Sequence, residues 1–204
     1  MPEKISTRGN AFSVSIGVLT LKLLGWRLQG EFPNEKKVIL VVAPHTSNWD
    51  FVLGLAFMFA LRLNASFMAK SDLFVGPLKL IMKGLGGIAI KRHRAHGVVA
   101  QMADRFEQSD ALVLALAPEG TRRLVPRWKT GFLQIAARAN VPILLIGLDY
   151  KRKCLLVGPC KRISNDANIE DELQQVLEFY SAISGKYPEN CDTTGLNLEK
   201  KVGK

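Results

Sequence analysis

Six short runs of nearly continuous apolar residues punctuate this chain: Val38–Ala43, Ser66–Ala69, Ile88–Ile90, Leu112–Ala117, Ile143–Leu148 and Cys154–Val157. Strands this apolar must be covered on both faces, because an open sheet face would place every second side chain in water. Between them Phe51–Leu61, Gly76–Gly84, His96–Gln108 and Gly131–Ala139 read as helices. That alternation predicts an α/β fold, a mixed and largely parallel sheet flanked by helices. A last helix is marked by Ile169, Leu173, Val176, Leu177, Tyr180 and Ile183 at spacings of three and four, with Asp166 or Asn168 as its cap. A chain of 204 residues with 48% apolar content supports one such domain. No repeat, low-complexity tract or Pro/Gly linker divides it. The expected layout is an N-terminal helical segment (1–30) within the same domain, a body over 31–190 and a flexible tail over 191–204.

The 28 basic and 18 acidic residues leave a net charge of +10. The excess lies in residues 1–165, which hold 24 basic and 10 acidic side chains. An anionic partner is expected for that part. Cys154, Cys160 and Cys191 form no CxxC and no zinc-ligand pattern with a histidine, so they read as reduced thiols of a cytosolic protein. The uncharged span Gly9–Leu21 is too short for a bilayer crossing and lacks a cleavage signal, so neither a signal peptide nor a spanning segment is expected. Phe12 to Leu28 is instead apolar apart from its serines, Thr20, Lys22 and Arg27, and carries Trp26 near its end. Such an amphipathic N-terminal helix suits either the headgroup boundary of an anionic membrane or the protein core.

Three clusters at strand ends carry chemistry. His45-Thr46-Ser47-Asn48-Trp49-Asp50 places an imidazole five residues before a carboxylate that a turn brings back to it. One ring nitrogen held by Asp50 leaves the other to take a proton, the arrangement of a general base. Ala117-Pro118-Glu119-Gly120-Thr121-Arg122-Arg123 follows the strand from Leu112, with Gly120 permitting close backbone approach and the arginines offering planar donors for phosphate. Gly86-Gly87-Ile88-Ala89-Ile90-Lys91-Arg92 ends in adjacent cations, of which Arg92 suits bidentate phosphate binding. A turn with solvated charges explains either basic cluster alone; their succession, with Val141-Pro142-Ile143 opening the next strand, does not arise so easily by chance.

With these four motifs in order over about residues 10–165, the chain resembles the glycerolipid acyltransferase family that includes the 1-acylglycerol-3-phosphate acyltransferases. His45 and Asp50 match its His-x4-Asp motif; Gly86, Ile88, Ile90 and Arg92 match its Gly-x-Ile-x-Ile-x-Arg motif. Pro118 to Arg122 match Pro-Glu-Gly-Thr-Arg, and Val141 to Ile143 match Val-Pro-Ile. The resemblance implies transfer of an acyl group from an acyl-CoA or acyl carrier protein thioester to a hydroxyl of a lysophospholipid-like acceptor. Neither a metal nor a bound redox cofactor is implied. His45 and Asp50 would be catalytic, while Arg92, Glu119, Gly120, Thr121 and Arg122 would form the substrate subsite, with Thr121 bracing the turn and Lys70, Lys83, Lys91, Arg94 and Arg123 adding to a basic funnel. The Phe51–Leu61 helix, with Phe57, Met58 and Phe59, reads as core or as the lining of an acyl channel. The expected location is cytoplasmic, peripheral on the inner face of the membrane.

Pro44 stands where better-known members often carry Asn, Ala117 and Arg123 flank the Glu-Gly-Thr-Arg element, and only one N-terminal hydrophobic helix is evident. These departures leave the acceptor open, although two motif arginines favour an anionic headgroup. A catalytically silent lipid-binding relative would not need His45 and Asp50. A nucleic-acid-binding module would need more than Arg123, Arg127, Trp128 and Lys129, which alone interleave cations with an aromatic, and no recognised nucleic-acid motif accompanies them.

Overall fold

In a computed structural model, which describes residues 2–90 and 95–193, one seven-stranded sheet runs through the molecule. Its strands are β1 (Arg27–Gln29), β2 (Lys37–Ala43), β3 (Ala65–Lys70), β4 (Gly87–Ile90), β5 (Leu112–Leu116), β6 (Ile143–Asp149) and β7 (Cys154–Lys161). The helices are α1 (Ala11–Leu24), α2 (Trp49–Ala60), α3 (Leu78–Gly84), α4 (Ala95–Gln108), α5 (Gly131–Ala139) and α6 (Ile169–Ser181). The strand order is β1-β7-β6-β2-β5-β3-β4, parallel throughout except for the antiparallel pair β6–β7. All six expected strands and all the expected helices are present within a few residues.

The N-terminal segment departs from expectation. The helix expected from Phe12 to Leu28 stops at Leu24, because Gly25 takes a left-handed conformation (φ 71°) as its C-cap. Trp26 then turns inward, 9% exposed, with its ring edge-on to Phe57 and Tyr150, so it is a core residue and no headgroup anchor. The next three residues form β1, an exposed edge strand that no apolar run announces. At the other end of α1 the Asn10 side chain accepts from the Ser13 amide and the Ser13 hydroxyl from the Asn10 amide, a reciprocal cap. Asn168 rather than Asp166 caps α6, accepting from the Glu170 amide at 3.0 Å.

Alternation along β2 divides the core in two. Val38 and Leu40 join Leu53, Ala56 and Phe57 of α2 and Leu21 of α1 on one face, whereas Ile39, Val41 and Ala43 join residues of α4, α5 and α6 on the other. Each fully buried Ile, Leu or Val contributes about 1.5–3 kcal/mol relative to exposure. α3 lies on the α1–α2 side: a side chain on Gly87 of β4 would meet Met82 of α3, while the next residue, Ile88, points into the α4 cluster. That division follows from right-handed crossovers, since the chain moves one way along the sheet through α2 and α3 and returns through α4 and α5.

Candidate active site

Parallel pairing sets the carboxyl ends of β5, β2 and β6 side by side, with Val41 opposite Leu116 and Ala43 opposite Gly147. Just beyond these ends stand Glu119, His45 and Tyr150. Carboxyl ends of adjacent strands are where open α/β sheets build sites, because the connecting loops diverge there.

Asp50 occupies the first turn of α2 and is 4% exposed. Its Oδ2 accepts from the amides of Thr46 and Ser47, each at 2.8 Å, and lies 3.0 Å from His45 Nδ1. A carboxylate oxygen that accepts from two amides presents only acceptor capacity to the ring, so the proton of a neutral imidazole resides on Nδ1 and Nε2 carries the lone pair. The other oxygen, Oδ1, accepts from the Tyr150 hydroxyl at 2.6 Å. Burial first, then the bond to Asp50, pushes the Tyr150 phenol well above its ordinary range and keeps it a donor. The side chain of His45 is 25% exposed, so the ring is held at the back and open at the front.

Glu119 braces the same loop from β5. Its Oε1 accepts from the His45 amide at 2.8 Å, and its Oε2 is buried with no hydrogen-bond partner among the described residues. Burial raises its carboxyl to about 7 against the opposing pull of the His45 amide. Gly120 has φ 66°, a conformation that L side chains rarely adopt, and a Cβ there would press on the end of the Lys129 side chain that lies over the turn. The Arg123 amide donates to Thr121 Oγ1 at 3.4 Å within the turn. Arg122 is exposed and forms no hydrogen bond or ion pair among the described residues.

Ser47 is accounted for by the turn: its Oγ accepts from the Trp49 amide, and it is 6% exposed. The thiols of Cys154, Cys160 and Cys191 are all raised by burial, so none is a ready thiolate nucleophile. Arg92, Lys91 and Arg94 lie outside the described residues. Gly86 of the same motif is explained by backbone alone, with φ 93° and the carbonyl of Ala65 only 2.6 Å from where a Cβ would stand. Lys70 is drawn to Asp72 in an exposed pair, whereas Lys83 and Arg123 are solvated. Of the residues considered for an acyl channel, Phe57 is core at 3% exposure. Met58 and Phe59 line a groove at the far end of α2 from His45, about 15 Å along a helix rising 1.5 Å per residue.

Sequence reasoning missed Tyr150 and the segment beside it. Thr46, 3% exposed, accepts from the Tyr187 amide, and Gly185 packs so closely that a Cβ would stand 2.9 Å from Thr46 Oγ1. The only sequence signal for Tyr150 is its place one residue past a strand end, which it shares with many inert loop residues.

The family model described as Acyltransferase matches residues 26–148, three-fifths of the chain, taking in His45, Asp50, Glu119 and Arg122 and ending two residues before Tyr150. No curated protein matches the sequence. The fold is similar to the crystal structure of the 1-acyl-sn-glycerophosphate (LPA) acyltransferase PlsC from Thermotoga maritima, at a TM-score of 0.55 and 17% identity over 85% of this chain and 80% of that one.

Proposed function

Since this chain belongs to the acyltransferase family, we propose that it transfers a fatty acyl group from an acyl-CoA or acyl carrier protein thioester to a hydroxyl of a lysophospholipid-like acceptor with an anionic headgroup. The observation that carries the reading is His45 Nδ1 held 3.0 Å from an Asp50 oxygen that two backbone amides also grip. Nε2 of His45 takes the proton of the acceptor hydroxyl as its oxygen attacks the thioester carbonyl. Asp50 stabilises the imidazolium so formed, the tetrahedral centre collapses with cleavage of the C–S bond, and the imidazolium returns its proton to the departing thiolate. No covalent enzyme intermediate is needed, which agrees with the structural use of Ser47 and the raised thiols.

Arg122, and Arg92 beside it in motif order, serve the acceptor's phosphate or another anionic headgroup, with Glu119, Gly120 and Thr121 shaping the turn that presents Arg122. The protein works at the cytoplasmic surface of a membrane, attached in part by α1. Phe12, Ile16, Leu19 and Leu23 recur on one side of that helix and are 43–78% exposed. No described helix is long and apolar enough to cross a bilayer, so such a stripe supports lying on the membrane.

The test is acyl transfer by purified protein, wild type beside folded His45→Ala, over a panel of lysolipids with both thioester donors and mass detection. The expected result is a diacyl product with wild type and a loss of about 10²–10⁴-fold in the variant. Equal binding of both proteins to anionic vesicles with no product from either would favour a silent lipid-binding relative.

A further inference from the structure

Most of the large apolar side chains exposed among the described residues lie on the α1–α3 side of the sheet. Among the described residues, α4, α5 and α6 expose none, and apart from Leu28, Leu124 and Tyr187 all of them lie on α1, α2, α3 or the approach to α3. α1 accounts for one group. A second is Val75, Leu78, Leu80 and Ile81, with Leu80 75% and Val75 69% exposed. Leaving such side chains in water forfeits about 1.5–3 kcal/mol each relative to burial, so a folded layer that carries several has a use for them.

Charge selects the occupant. α1 and α3 contain no acidic residue, while Lys22, Lys79 and Lys83 are exposed on them and Arg8 and Arg62 lie between. The acids of α2 and the α3 approach are already engaged, Asp50 inside the site and Asp72 with Lys70. A second copy would bring like charges face to face, whereas anionic headgroups around inserted apolar tips satisfy both components. The two groups are also tied together. Arg8, two residues before the cap of α1, donates through Nη1 to the Gly84 carbonyl at 3.3 Å and through Nη2 to the Leu85 carbonyl at 2.5 Å, at the end of α3.

We propose that Val75–Ile81 is a second insertion element for an anionic bilayer, acting with α1 to set the protein's orientation on the surface. One inserted helix leaves the body free to roll about that helix; a second contact, joined through Arg8, removes that freedom. Trp49 and Phe51 at the start of α2, 48% and 39% exposed, then meet the interface next to the His45 loop. The inference rests on the reading of α1 as membrane-attached, and the experiment separates the two.

Affinity of the full chain for phosphatidylglycerol/phosphatidylcholine vesicles, and for pure phosphatidylcholine vesicles, would be measured for wild type, Leu80→Glu/Ile81→Glu, Leu19→Glu/Leu23→Glu and, as a control on α4, Gln101→Glu. The expected result is preference for the anionic vesicles and at least tenfold weaker binding by the Leu80/Ile81 variant at unchanged Tm, with the α4 control like wild type. Wild-type binding by the Leu80/Ile81 variant overturns the proposal; loss in Leu19→Glu/Leu23→Glu alone would then leave α1 as the sole anchor. Wild-type binding by the α1 variant, with loss in the Leu80/Ile81 variant, removes the α1 reading and with it the two-point attachment. A wild-type dimer that Leu80→Glu/Ile81→Glu converts to monomer without change in vesicle affinity assigns the face to a second copy, and also overturns it.

Discussion

The Tyr150 hydroxyl donates to Asp50 Oδ1 at 2.6 Å across 100 residues of sequence, on the side of the carboxylate opposite His45. Each oxygen of Asp50 thereby has a fixed duty, one toward the imidazole and loop amides and the other toward the phenol. Tyr150→Phe removes one donor and keeps the ring that packs on Trp26. Asp50 then loses the contact that fixes its second oxygen, and the imidazole it orients is held less firmly for proton transfer. A hydrogen bond to a charged group contributes about 1.5–3 kcal/mol, and a fall in kcat of roughly tenfold is expected with acceptor KM little changed. Steady-state kinetics with the acceptor varied check both parts; an unchanged kcat with a lowered Tm would reduce Tyr150 to packing.

Glu119 links stability to pH. Its carboxyl stands at about 7 in the fold against an ordinary 4.5, so the folded state binds the proton more tightly than the unfolded chain. The contribution is fully present below the unfolded value and is lost as pH rises through about 7, amounting to about 3 kcal/mol. Glu119→Gln keeps an oxygen to accept from the His45 amide and abolishes the titration. The Tm of the variant relative to wild type is expected to improve between about pH 5 and pH 8, as thermal melts across that range would show.

Gly17 sets the distance between α1 and α2. A Cβ there would stand 2.4 Å from the Ala60 amide nitrogen and 2.6 Å from the Ala56 carbonyl oxygen, both backbone atoms that cannot swing aside. Gly17→Ala gains up to about 1 kcal/mol in helix propensity but forces the helices apart at a cost of about 1–3 kcal/mol. Net destabilisation is expected, measurable as a lower Tm with the secondary structure retained.

Arg122 tests the headgroup subsite. Arg122→Ala should raise the KM for a phosphate-bearing acceptor by about tenfold or more, the worth of a charge-assisted pair at a partly exposed site, and leave the KM of the thioester donor nearly unchanged. Steady-state kinetics with each substrate varied in turn decides it. An equal rise for both substrates would point to distortion of the turn.

Much of this site was legible in the chain because its parts are local. The turn that returns Asp50 to His45 spans five residues, and Gly86 and Gly120 mark positive-φ turns that the backbone itself requires. Strand ends were legible for the same reason, since a fully covered strand must be apolar until it leaves the sheet. The edge strand β1 was not, because its three exposed residues bury nothing and leave no pattern. Trp26 misled because an aromatic after an apolar helix looks alike whether it faces lipid or core, and only the left-handed turn at Gly25 sends it inward.

The sequence by itself determined the covered α/β sheet, its single-domain extent and the residue types gathered at its strand ends, because periodicity and turn chemistry act over a few residues. Tertiary structure alone decided that β5, β2 and β6 are neighbours, and hence that Glu119 meets the His45 amide and Tyr150 meets Asp50. It also decided that most of the exposed large apolar residues among those described lie on the α1–α3 side of the sheet. Strand order and the face each helix covers come from packing between segments far apart in the chain, and no local pattern encodes that choice of neighbours.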